Sequence, residues 1–65
     1  MAFKRYAVLI TIASDGKDYY CDRLITARTY KEACKVAKKL AYAADKEQRK
    51  YFANVRITEI KILEE

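Results

Sequence analysis

Tyr6-Ala7-Val8-Leu9-Ile10-Thr11-Ile12-Ala13-Ser14-Asp15-Gly16-Lys17-Asp18-Tyr19-Tyr20-Cys21 is the stretch whose reading decides the fold. From Phe3 to Ala13 the residues alternate, and Tyr6, Val8, Ile10 and Ile12 share one face, the period of a half-buried strand. Asp15-Gly16 is the favoured pair for a two-residue type I′ hairpin turn, and Gly16 is the only glycine in the chain. A second strand is expected from Asp18 to about Ala27. With Ser14 opposite Lys17, the turn sets Ile12 against Tyr19, Ile10 against Cys21, Val8 against Arg23 and Tyr6 against Ile25. An apolar face therefore meets a mostly apolar face, so turn chemistry and burial demand the same register. Arg23 is the dissonant member and is expected to reach past the helix to water.

Working outward, Thr29-Tyr30-Lys31-Glu32 is a capping box, a Thr at the cap and a Glu three residues on. It opens a helix from Thr29 to about Lys50. Ala33, Val36, Ala37, Leu40, Ala41 and Ala44 draw a narrow apolar stripe at helical spacing, and the alanines let the helix lie close to the sheet. Asp45 to Lys50 is polar enough to fray. A third strand lies within Tyr51–Leu63, starting near Ala53 or Asn54. Its phase breaks: Val55 and Ile57 share one parity, Ile60 and Ile62 the other. Either a bulge near Thr58-Glu59 reconciles them, or both faces of the strand are covered. The expected architecture is α+β: β-β-α-β, a three-stranded antiparallel sheet with one helix packed on one face, in a single domain over residues 1–65.

Composition removes several classes of function. A core of 65 residues supplies only about 3–5 kcal/mol. A cleft of the ~300 Å³ that ligand pockets usually need is not expected in so small a fold. The chain is 52% apolar and 35% charged, which places it among globular proteins. No apolar run approaches the ~18 residues of a membrane span. The start runs straight into a strand without the pattern of a signal peptide, so a cytosolic protein is expected. Cys21 and Cys34 read as free, small hydrophobes rather than a disulfide. Without histidine or a CxxC pair, no zinc ligand set can be assembled. Nor is there a general base poised near neutral pH. Ser14 and Thr29 have structural work in the turn and the cap, and one glycine cannot build a phosphate loop. The expectation is a protein without enzymatic activity, cofactor or metal.

Charge supplies the first candidate site. Between Arg28 and Lys50 stand eight basic residues and three acidic ones; elsewhere six face six, so this segment carries the whole net charge of +5. Lys31, Lys35, Lys38, Tyr42, Lys46 and Arg49 step by three or four and draw one line along the helix, flanked by Lys39 and Lys50. A lysine line with an aromatic in its middle suits a phosphate backbone or an acidic protein surface. Lysine rather than arginine favours sequence-tolerant contact over base readout.

The sheet face away from the helix is the second candidate. By the hairpin register it carries Phe3, Arg5, Ala7, Leu9 and Thr11 on strand one, with Tyr20, Asp22, Leu24 and Thr26 on strand two. If Ile60 and Ile62 follow on strand three, the face becomes an apolar patch, and such patches mark interfaces. Phe3, Leu9, Tyr20 and Leu24 are the expected contacts, with a partner or with a second copy. A homodimer is expected over a monomer, because a further layer would enlarge a marginal core.

Ile25-Thr26-Ala27-Arg28-Thr29-Tyr30-Lys31-Glu32-Ala33, a strand running into x-x-Glu-Ala at a helix start, is similar to segments of short phage and mobile-element proteins. In size and style the whole chain resembles small phage-encoded inhibitors of the anti-CRISPR kind. That resemblance implies inhibition by binding, with the protein docking on a host defence nucleoprotein complex and blocking nucleic-acid access or activation. The basic balance departs from the many inhibitors of this type that are acidic nucleic-acid mimics. A small basic nucleic-acid-binding protein using the same helix face, or a structural phage subunit, are the alternative expectations.

Overall fold

The computed structural model describes residues 2–65. The order is β1 (Lys4–Ser14), β2 (Lys17–Ala27), α1 (Tyr30–Gln48) and β3 (Val55–Glu64). The strands form one antiparallel sheet in the order β2-β1-β3, with α1 on one face. The fold is thus the α+β arrangement expected, and the long strands make it elongated, 43 × 16 × 14 Å.

The hairpin follows from its turn. Asp15 and Gly16 adopt φ of 48° and 82°, both positive as a type I′ turn requires. Every pairing expected from that turn is present, from Ser14 opposite Lys17 to Tyr6 opposite Ile25. Asn54, just before β3, also has positive φ at 53°, a conformation its short polar side chain tolerates. Its amide Nδ2 donates to Asp15 Oδ1 at 3.5 Å, joining the start of β3 to the hairpin turn.

β3 resolves its broken phase with a bulge. Thr11 pairs with Glu59 and Ile12 with Ile57, leaving Thr58 as the extra residue. The Thr58 hydroxyl donates to the Thr11 carbonyl at 3.3 Å, satisfying a group the interrupted ladder frees. The consequence corrects one expectation: Ile60 and Ile62 lie opposite Ile10 and Val8 and so face the helix with Val55 and Ile57. They do not extend an apolar patch on the open face.

The core is the helix-side face of β1 with the inner stripe of α1. Tyr6, Val8, Ile10 and Ile12 are buried, as are Ala33, Ala37, Ala41 and Val55. Three alanines one turn apart bring the helix down onto the sheet with no side chain to hold it off. Val36, expected in the stripe, lies at its rim and is 37% exposed. Thr29 Oγ1 accepts from Glu32 N at 3.2 Å, while Glu32 Oε2 accepts from Arg28 N at 3.1 Å, so the box closes one residue before the cap. The C-terminal turn is held rather than frayed: Arg49 Nε donates to Asp45 Oδ1 at 3.0 Å and its Nη2 to the Val55 carbonyl at 2.7 Å. The chain leaves the helix at Gln48 and β3 begins at Val55, with Phe52 packed on Tyr19 at 5.3 Å between ring centroids.

Candidate functional site

The outer face of α1 is set by what its inner face must do. Ala33, Ala37 and Ala41 fix the inward direction, and at about 100° per residue the line Lys31, Lys35, Lys38, Lys39, Tyr42, Lys46 falls in an arc of roughly 100° directly opposite. All six side chains are exposed. From Lys31 to Lys46 the line runs about 22 Å at ~1.5 Å per residue. Tyr42, 65% exposed, stands between Lys38 and Lys46.

These lysines enter no ion pair among the described residues. Among the described residues the ion pairs are Lys4 with Glu64, Arg49 with Asp45, and Lys50 with Glu47. Lys31, Lys35, Lys38, Lys39 and Lys46 enter none of them. Lys35 also stands one helical turn from Lys31, Lys38 and Lys39, and such like-charge neighbours each destabilise a helix by about 0.2–0.5 kcal/mol. Helix stability therefore does not account for this pattern.

Arg49 differs from the rest of the line. It is on the expected face, but its guanidinium bridges Asp45 to the first residue of β3. It is a structural clamp, and Lys50 is likewise engaged, with Glu47 at 3.1 Å. The effective basic face is the five lysines with Tyr42.

On the opposite side of the molecule, the open sheet face holds Leu9 half-buried in the centre, with Tyr20 74% and Leu24 69% exposed on β2. Phe3 precedes β1, exposed, with the Arg28 guanidinium 5.2 Å from its ring centroid. On β3 the bulge places Leu63, Lys61, Glu59 and Arg56 on this face, in register with Ala7, Leu9, Thr11 and Ala13. The face is mixed rather than broadly apolar.

No family model, curated protein or solved structure matches this chain.

One feature runs against the expectation that no cleft would form. Because α1 packs more closely on β3 than on either other strand, it leaves an open groove of about 370 Å³ beside β2, lined among others by Ile12, Tyr19, Arg23, Leu40 and Gln48. Gln48 Oε1 is buried there without a hydrogen-bond partner, and Arg23 reaches the groove's rim rather than packing under the helix. Cys21 and Cys34 are free and half-buried. The Cys34 thiol, one turn along the helix, holds the Tyr30 hydroxyl above the usual tyrosine range. Among the described residues no group of three or more His, Cys, Asp or Glu side chains is placed to hold a metal ion. No helix is long and apolar enough to cross a membrane.

Proposed function

We propose that this protein acts by binding, without catalysis, and that it docks the lysine face of α1 on a polyanionic surface of a cytosolic nucleoprotein complex. The observation that carries this reading is the row of five exposed lysines, none of which enters an internal ion pair among the described residues. A rigid helix fixed at its start by the Thr29 cap and at its end by the Arg49 clamp presents those charges in a set geometry. Little backbone ordering entropy remains to be lost on docking. The style of the chain, tiny and without a catalytic constellation, suits an inhibitor carried by a phage against a host defence complex of the CRISPR type. There the lysines would meet acidic side chains or exposed phosphates.

A second reading is direct binding to nucleic acid, favoured by the ~22 Å length of the line and by Tyr42 within it, a ring on which a base can stack. One experiment separates the two. Tagged wild-type protein and the Lys35→Gln/Lys38→Gln variant are used to capture partners from bacterial lysate, with and without nuclease. A stoichiometric protein complex that survives nuclease and is lost with the variant supports the inhibitor reading. Recovery that vanishes on nuclease treatment transfers the lysines to nucleic acid. A partner retained equally by the variant removes this helix face from the function.

A further inference from the structure

We infer that the open sheet face pairs with its own copy about a two-fold axis parallel to the strands, giving a helix–sheet–sheet–helix dimer. This holds whatever the helix face binds, since it rests on the other side of the molecule.

The monomer exposes 4960 Å², against roughly 4,300 Å² expected for a folded monomer of its mass. The excess reflects a sheet covered on one face only, with Tyr20, Leu24 and Leu63 exposed on the other. Three strands about 4.8 Å apart and about ten residues long, at ~3.4 Å each, offer roughly 500 Å² a side. Two such faces together reach the ~1,000 Å² that a specific interface needs.

Charge placement selects the occupant and the axis. Read across β2-β1-β3, successive rows of the open face are Asp18–Ala13–Arg56, Tyr20–Thr11–Glu59, Asp22–Leu9–Lys61 and Leu24–Ala7–Leu63. In both charged outer pairs the acid stands on β2 and the base on β3. A two-fold axis running along β1 exchanges the two edges without changing the row. Asp22 then meets Lys61 of the copy, Leu24 meets Leu63, and Tyr20 brings its hydroxyl to Glu59. The longer Arg56 side chain reaches Asp18 despite the ~30° rotation between packed sheets. Leu9 and Ala7 pack near the axis on their own copies; further along, Arg5, whose carbonyl accepts from Glu65 N at 3.0 Å, is the one like charge brought near its own copy. A two-fold axis across the strands sets β2 on β2, whose charges on this face are Asp18 and Asp22 alone, so acids oppose acids. The surface is thus self-complementary for one of the two face-to-face arrangements. The dimer turns its two lysine faces to opposite outer sides, so a single polyanionic partner cannot be gripped by both from one direction.

Sedimentation equilibrium on the full chain tests this with Asp22→Lys, Lys61→Asp and the combined swap. Both positions are exposed, and circular dichroism confirms that each variant is folded; Leu24→Asp adds an uncharged-to-charged break at a third exposed site. The wild type is expected at twice its 7.6 kDa mass. Each single reversal and Leu24→Asp should raise the dimer dissociation constant by about tenfold or more, because every change acts twice across the axis. The double swap should return it to within about threefold of wild type, the sign of a direct pair. A wild type that stays monomeric up to about 1 mM, a double swap no better than the single reversals, or growth past the dimer into open assemblies would each overturn the inference.

Discussion

The outer face of α1 and the open face of the sheet are both exposed, yet their charges follow different rules. On the helix, five lysines stand on one side with no acid among them, and their mutual repulsion is left in place. On the sheet, Asp18 and Asp22 of β2 share their rows with Arg56 and Lys61 of β3, and Glu59 of β3 stands in a row without a base. A face whose charged rows mostly pair an acid with a base can be covered by a copy of itself. A face with an unbalanced charge suits an anion from outside. The contrast fits the proposal that the two surfaces meet different partners.

The contrast depends on α1 lying flat on the sheet, and the largest effect comes from lifting it. Ala37→Glu would bury a carboxylate between helix and sheet and is expected to cost about 3 kcal/mol or more in a urea melt. That is most of what so small a core supplies; a loss below about 1 kcal/mol would show that the helix has room to spare. Next in size is the charge test. Neutralising Lys35 and Lys38 together should lower the slope of log K against log salt by about 1.4–1.8 for a nucleic-acid partner, at roughly 0.7–0.9 per phosphate contact. The same variant should leave the dimer dissociation constant untouched, and coupled changes in both would mean the two faces are not separate.

Gly16→Ala keeps every contact, since nothing lies within 4 Å of the added methyl, but strains a φ of +82°. It should cost about 1 kcal/mol by denaturant titration. Arg49→Gln should cost a similar amount, about 1 kcal/mol, by releasing the Val55 carbonyl and Asp45. It should also leave the salt slope of partner binding unchanged, and a slope lowered as much as by a lysine would return Arg49 to the binding face. The smallest effect has the opposite sign. Lys35→Gln alone should raise thermal stability by about 0.3–0.5 kcal/mol through relief of like-charge contacts.

The hairpin was legible because two independent constraints converged on it. Asp15-Gly16 specifies a two-residue turn, and only the resulting register puts Tyr6, Val8, Ile10 and Ile12 over the apolar side of β2. The bulge in β3 was legible as a break in phase between Ile57 and Ile60. Which face the later isoleucines take was not, because alternation within one strand carries no information about its partner's side. Arg49 belonged to the lysine line by spacing alone; its clamp on Val55 crosses a loop and exists only once β3 is in place. The groove beside β2 had no sequence signal either. It arises because α1 sits towards β3, an offset that a stripe of alanines permits but does not announce.

The central claim is that the charge excess works as a face and not as a net charge. Salt elution from immobilised heparin, a generic polyanion, tests it with two variants that each remove two positive charges: Lys35→Gln/Lys38→Gln on the helix and Lys4→Gln/Lys17→Gln at the sheet ends. The account predicts that the helix pair shifts elution to much lower salt while the sheet pair shifts it little. Equal shifts for the two pairs would contradict it, because the protein would then be answering to its total charge alone.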